Sequence, residues 1–428
     1  MLKPMQMAVV AVCALGWSVA AGAAGDSAPR AREGERATIE RLRQELLDLE
    51  LFPPTLNARP GAEYSFDKID FAMNAGMALT KGGRLYATWF AGGDDATAHM
   101  VGTWSDDGGK TWAGTKFVVG QKGPILTVGA AGRQAAKIYR TVLIGNIWAA
   151  PDGTLRLYAY HGVNMFSDRG TLWEFVCRDP DADEPVWEEP RFLALGGCHN
   201  KPIVLRDGTW LLPNDFETSG KGLYPDLADR YGCGFLASTD RGATWRPRGS
   251  VRPEGTSHFA ENMAVELGDG TIRQLLRTGL GLMQSESRDG GFTWSKPRKP
   301  ENLTQVIARF GYLRLANGHL VFVKNGVAPA RTNGNRREKL TAFVSDDEGR
   351  TWKGGLELDG RDRVSYPDAF QAQDGAIYVS YDHNRWGDKN GRRDELLFAK
   401  FTEADILARQ IVSEGSSLRN VIFRELDR

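Results

Sequence analysis

The chain offers little that composition alone would expose. Lys plus Arg and Asp plus Glu number 54 each, so the formal charge is zero. No basic field is available to hold nucleic acid or an anionic bilayer surface. Cysteine is scarce: one of four lies in the N-terminal apolar stretch, leaving Cys177, Cys198 and Cys233. Three thiols form at most one disulfide, and their scatter lacks the spacing of a metal site. Beyond the first residues, no apolar run is long enough to span a bilayer. A membrane-spanning bundle, a disulfide-stapled module and a nucleic-acid binder are therefore poor descriptions of this sequence.

Glycine is abundant, at 50 residues, and it falls in repeated places. The pattern Ser-x-Asp-x-Gly-x-Thr-Trp occurs as SDDGGKTW (105–112), STDRGATW (238–245), SRDGGFTW (287–294) and SDDEGRTW (345–352). Ser and Asp side chains bond nearby backbone amides in turns, and Gly accepts the positive φ of a tight turn. Thr and Trp suit the returning strand. Each box reads as a hairpin whose tryptophan, Trp112, Trp245, Trp294 or Trp352, is buried between strands. A calcium loop would need a ladder of ligands and a closing Glu, which the boxes lack, so no metal is expected. A worn copy, RDPDADEPVWEEP, keeps Trp187.

A second repeat precedes the boxes: apolar strand, short turn ending in Gly, apolar strand. Its turn glycines are Gly83, Gly153, Gly208, Gly270, Gly318 and Gly375. Asp-Gly and Asn-Gly between alternating apolar residues signal hairpins. Six such hairpins, four of them followed by a clear box hairpin, predict an all-β, six-bladed propeller of four-stranded antiparallel sheets.

The ends read differently. Residues 1–24 carry Lys3, an apolar run and small residues at the end, the pattern of a cleaved secretory signal peptide, which implies a secreted or periplasmic protein. Residues 25–60 form a polar leader and an amphipathic helix with Ile39, Leu42, Leu46 and Leu49 in register; the propeller takes 61–428. The stretch from Tyr64 to Phe71 is expected to add an outer strand to the last blade.

Just before each inner hairpin stand polar residues that converge on the channel axis. They are Asn74 and Asn146; His199, Asn200 and Lys201; Glu261 and Asn262; Arg309; and Tyr366 with Asp368. Such convergence suits a polar ligand. His199 reads as a channel or loop residue rather than a catalyst. The run Asp382-His383-Asn384-Arg385 ends a strand near the same mouth and has no assigned role.

The boxes, with HNKPIVLRDGTWLLP (199–213), AENMAVELGDG (260–270) and VSYPDAFQAQDGAIYVSYD (364–382), resemble the sialidase superfamily, and more narrowly its secreted bacterial exo-sialidase-like branch with BNR repeats. The resemblance implies an exo-glycoside hydrolase that takes a terminal sugar from a glycan and retains configuration, with no cofactor. It implies Tyr366 as nucleophile, since sialidases use Tyr where most glycosidases use a carboxylate. Glu261 matches the base that activates it, and Asp94 or Asp95 the acid/base residue. Arg277, and Arg337 or its neighbour Arg336, match two of three arginines that hold a substrate carboxylate. Where the first is expected the chain has Met73-Asn74-Ala75. Lys201, Arg309 and Arg140 are the candidate substitutes, with Lys201 pointing into the site and Asn74 in the vacated place; Asn200 and Asp368 complete the expected substrate-binding set. The vacancy keeps open a same-fold exo-glycosidase for another sugar; a non-catalytic glycan-binding propeller is a second rival, told apart by whether Tyr366 and Glu261 adjoin. The terminal sugar, linkage and oligomeric state are not legible in the sequence.

Overall fold

The computed structural model describes residues 52–128, 136–164, 170–216, 232–253, 261–385 and 393–426. The signal peptide and amphipathic helix expected within 1–51 lie outside the described residues.

Six antiparallel sheets follow one another around an axis as a β-propeller. Blade one comprises Met73–Leu79, Leu85–Ala91, His99–Ser105 and Phe117–Val119. Blade two comprises Gly145–Ala149, Leu155–Val163, Thr171–Cys177 and Arg191–Leu195. In blade three the strands are Ile203–Val204, Trp210–Phe216, Gly232–Ser238 and Arg246–Val251. Blade four has three among the described residues, Met263–Glu266, Ile272–Thr278 and Gly281–Ser287, edged by a bridge from Gln284 to Arg298. Blade five is Gly311–Arg314, Leu320–Asn325, Glu338–Ser345 and Lys353–Asp362. Blade six is Val364–Gln371, Ile377–His383, Glu395–Phe401 and Ser417–Arg424. All six inner-hairpin glycines take φ between +85° and +95°, which is why no other residue serves there.

The boxes link third strands to fourth. In the first, Ser105 Oγ donates to Asp107 Oδ1 at 2.7 Å and accepts from Gly109 N at 2.8 Å. Asp107 also accepts from Thr111 N (2.9 Å) and Thr111 Oγ1 (2.6 Å). These bonds hold its carboxyl well below the usual carboxylate range.

The box tryptophans are half-buried rather than buried, because each lies on the seam between its own blade and the preceding one. Trp112 packs edge-on to Phe398 of blade six, and Trp294 stacks on Phe235 of blade three, 5.4 Å between centroids. Trp245 meets Tyr158 of blade two. Trp187 of the worn copy does the same work against Phe117 of blade one, at 5.3 Å.

Ring closure corrects one expectation. Residues 62–64 and 66–68 form 3-10 turns, and the added strand is Leu56–Asn57, which pairs with blade one and not blade six. Blade six draws all four strands from the C-terminal part of the chain. The seam is closed by packing: Phe66 lies between Trp89 of blade one and Phe423 of blade six, 5.7 and 5.5 Å away.

Candidate active site

Two strained residues face each other across the channel mouth. Tyr366 takes φ +55° and Glu261 φ +32°, in the left-handed region that bulky side chains avoid. Each such residue costs about 1–3 kcal/mol and persists only where surroundings over-determine it. For Tyr366 the cause is a bulge: Ser365 pairs with Asp382 and Asp368 with Ser380, so one extra residue on the inner strand swings the phenol inward. An asparagine from another blade then grips each backbone. Asn74 Nδ2 donates to Tyr366 O at 2.8 Å and Ser380 O at 3.0 Å. Asn200 Nδ2 donates to the carbonyls of Glu261 and Asn262, both at 3.0 Å. Asn74 and Asn200, expected to touch substrate, instead have their side-chain amides on backbone carbonyls, because strained turns leave carbonyls the sheet cannot pair.

Arg277, near the end of a blade-four strand, joins the pair. Its Nη1 donates to Glu261 Oε1 at 2.6 Å and to Tyr366 Oη at 3.1 Å. Glu261 Oε2 is buried without a hydrogen-bond partner among the described residues. Burial alone would raise the Glu261 carboxyl, but Arg277, His199 and the Tyr366 hydroxyl outweigh it and hold it below the ordinary value. Burial and the Glu261 charge push the Tyr366 phenol up, against the pull of Arg277, Arg385 and Arg337. The phenol is thus neutral near pH 7 and adjoins an ionised carboxylate, the arrangement a base-activated nucleophile requires.

Two further guanidiniums surround the phenol. Arg337 lies 5.6 Å from the Tyr366 ring centroid and donates to Ser365 Oγ (3.1 Å) and Ile307 O (3.0 Å). Burial and the like charge of Arg385 bring it down to about 10. Arg336 turns outward, 69% exposed, toward Glu338. The other is Arg385, 3.9 Å over the Tyr366 ring and 3.5 Å from Asp382 Oδ2. The same Asp382 oxygen accepts the backbone N–H of Asn74 at 3.0 Å. Arg385 therefore stands beside Asn74, where the sequence resemblance left a vacancy. Its only sequence signal was its place at the end of a blade-six strand. Burial pushes the Asp382 carboxyl up to about 6, against Arg385 and the Asn74 N–H.

The two candidate acids separate. Asp95 accepts from Thr97 N at 2.8 Å and Thr97 Oγ1 at 2.6 Å, which commits it to its own turn. Asp94 is exposed, and its charge acts on both Arg385 and Asp382.

Lys201 does not turn toward Tyr366. Its ammonium bonds Asp368 Oδ2 and, at 3.1 Å, Asn146 Oδ1. Asp368 also accepts from Met77 N (3.0 Å), Asn146 Nδ2 (2.9 Å) and Arg309 Nη2 (3.0 Å). Arg309 Nε donates to Asn200 Oδ1 at 2.7 Å, and its Nη1 to Ala75 O at 2.9 Å. Lys201, Arg309 and Asp368 thus form an axial plug rather than the expected extension of the site. The physical reason is compensation: buried charges persist where they are paired. Gly76 makes room for it, since a Cβ there would stand 2.2 Å from Asn146 Oδ1. Below the plug, a cavity of about 960 Å3 opens among the inner-hairpin turns. Arg140 bonds His161 Nε2 at 3.0 Å and the carbonyls of Phe52 and Pro53 instead. Cys177, Cys198 and Cys233 are buried. No cluster of metal-ligating side chains occurs among the described residues.

Comparison with known proteins bears on the fold and the family. The family model described as BNR repeat-like domain matches residues 83–379. An anhydrosialidase of Macrobdella decora is 25% identical over 267 residues, which cover 58% of this chain and 33% of that protein. The chain thus spans about a third of the length of that relative. The intramolecular trans-sialidase of Ruminococcus gnavus, solved with oseltamivir carboxylate, superposes with a TM-score of 0.61 at 13% identity, over 81% of this chain and 97% of that one. The leech intramolecular trans-sialidase with 2,7-anhydro-Neu5Ac gives 0.60 at 13% identity, over 82% and 71%. At such identities the structural likeness is one of fold. With the family model covering most of the propeller, the chain belongs to the BNR repeat-like domain family of the sialidase superfamily.

Proposed function

We propose that this protein is an exported exo-glycoside hydrolase of sialidase type, which releases a terminal sialic acid or related acidic sugar from glycans with retention of configuration. The observation that carries the reading is the single nitrogen of Arg277 that clasps both Glu261 and Tyr366. In the proposed reaction Glu261 takes the phenol proton as Tyr366 Oη attacks the anomeric carbon. Asp94 protonates the departing glycosidic oxygen. Asp94 then takes a proton from the water that attacks the tyrosyl-sugar bond, and Glu261 returns its proton to the released phenolate. Protons balance over the two displacements, and no cofactor enters.

Arg277, Arg337 and Arg385 supply positive charge around the phenol. A guanidinium fork matches a carboxylate, and a neutral phenol avoids the repulsion a carboxylate nucleophile would meet from an acidic sugar. The position of Arg385 over the Tyr366 ring supports an acidic over a neutral substrate.

The test is turnover of purified protein against a panel of aryl glycosides and free glycans, acidic and neutral. Cleavage of sialosides, lowered about 1,000-fold or more in Tyr366→Phe, is the expected result, since the variant removes the nucleophile. Cleavage of neutral glycosides alone establishes the same-fold rival. Binding of glycans without any cleavage establishes the non-catalytic one.

A further inference from the structure

The run Asp382-His383-Asn384-Arg385 had no role in the sequence, and the structure gives it a shape. The last ladder pair of the blade-six inner hairpin is Val364 with His383. One residue beyond it on each side, Arg363 and Asn384 both take the left-handed region, at φ +58° and +64°. Asn384 N donates to Arg363 O at 3.0 Å, and Asn384 Oδ1 accepts from Arg363 Nη1 at 3.1 Å. Asn384 Nδ2 donates to Arg393 O at 3.5 Å, where the chain returns to begin the next strand. Asn384 is fully buried. Asparagine suits such a place, because its short amide bonds locally and tolerates a left-handed backbone. In a straight strand, residues three apart point to opposite faces. Asp382 and Arg385 are three apart, yet Arg385 Nη1 lies 3.5 Å from Asp382 Oδ2, with the guanidinium 3.9 Å over the Tyr366 ring. The left-handed turn at Asn384 is what brings the two onto one side.

We propose that Asn384 is a positioning residue: its left-handed turn sets Arg385 over Tyr366, ready for the carboxylate of an acidic sugar. The inference takes its functional meaning from the reading of Arg385 as a ligand of that carboxylate. Asn384 bonds Arg363 and Arg393, so its effect on the site passes through the backbone to the next residue. The nucleophile and the base are held from elsewhere, by Asn74 on the Tyr366 carbonyl and Asn200 on that of Glu261. A change at Asn384 therefore moves Arg385 and leaves Tyr366, Glu261 and Arg277 assembled. Glycine at this position keeps the turn without steric cost. A β-branched residue leaves the left-handed region, which carries the following side chain away from the Tyr366 ring.

Side-chain NMR of arginine-labelled protein reads this geometry without turnover, because the ring current of a phenol shifts a guanidinium stacked on it upfield. Arg385→Met identifies the resonance. The expected result is that it stays upfield in Asn384→Gly and returns to the unshifted range in Asn384→Val. A resonance that stays upfield in Asn384→Val overturns the proposal. Calorimetry with a sialic acid analogue is the second readout. Asn384→Val should weaken binding about 10-fold and Asn384→Gly about threefold or less. In an Arg385→Met background Asn384→Val should add nothing further, since both changes remove one interaction. Losses that add in the double variant, or that are equal for Gly and Val, make Asn384 a stabilising residue alone and overturn the proposal. Should Asn384→Val fail to fold, Asn384→Ala carries the same comparison, because alanine also resists positive φ. Should the wild type bind no acidic sugar while the resonance responds as expected, the acidic-sugar reading fails and the positioning of Arg385 stands.

Discussion

The guanidinium of Arg385 lies 3.9 Å over the ring of Tyr366. Tyr366 lies in the first strand of blade six and Arg385 just past the end of the second, yet the sequence offers no motif linking them. Their meeting depends on the bulge at Tyr366 and on Asp382, which holds Arg385 on one side and the Asn74 N–H on the other. A charge-assisted bond to a bound carboxylate is worth about 1.5–3 kcal/mol.

From that figure follows a contrast between two cations. Arg385→Met should weaken binding of a sialic acid analogue about 10- to 100-fold by calorimetry, and it should also lower stability because buried Asp382 loses its paired cation. Lys201→Met should act on stability alone, because it removes a partner from buried Asp368. A loss of roughly 3 kcal/mol in denaturant unfolding is expected, near the lower end for a broken buried pair since Arg309 remains. Equal effects of the two variants on ligand affinity would contradict the plug.

Asp94 and Asp95 should separate in kinetics. Asp94→Asn removes the proposed acid and should lower turnover about 100- to 10,000-fold for substrates with poor leaving groups, and far less for activated aryl glycosides. Asp95→Asn disturbs only the turn that includes Thr97, so both substrate types should retain most of their rate. A larger loss in Asp95→Asn reverses the assignment.

Asp394 provides a pH signature in stability. Burial, together with the charges of Glu425 and Asp382, pushes its carboxyl up to about 8 in the folded protein, against the pull of the Ala72 N–H and Arg385. The unfolded carboxyl titrates near the ordinary value of 3.8. Between these values the folded chain keeps a proton that the unfolded chain has released. Its contribution therefore favours folding at low pH and weakens as pH rises through the window. Asp394→Asn stays neutral and can still accept from Ala72 N. It should raise the melting temperature at pH 8 and change it little at pH 4, as thermal denaturation would show. A larger gain at pH 4 would contradict the sign.

The worn second box makes a stability prediction. Trp187 keeps the seam position although its turn has lost the Ser-x-Asp pattern. Trp187→Ala should therefore cost about as much as Trp294→Ala, each about 2–4 kcal/mol by denaturant unfolding, somewhat below a full core truncation because both rings are half-buried. A loss under about half that of Trp294→Ala would mark blade two as held by other contacts.

What the sequence by itself determined is local and repeated. Each box turn is built from side chains a few residues apart, and each inner hairpin from one glycine and two short apolar strands. Six copies then leave few closed arrangements. Tyr366, Glu261, Arg277 and Arg337 were singled out through the resemblance to sialidases, whose motifs stand beside such hairpins. Tertiary structure alone decided the directions of the remaining charges. Lys201 and Arg385 were both cations near the channel; Asp382 stands three residues from Arg385, yet nothing near either cation reveals the distant group it meets. Those groups are Asp368, 167 residues from Lys201, and a phenol swung inward by one inserted residue. The left-handed backbone of Tyr366 and Glu261 was equally hidden, since the asparagines that stabilise it come from other blades. A buried charge settles where compensation is available, and in a closed ring that is known only once all six blades are in place.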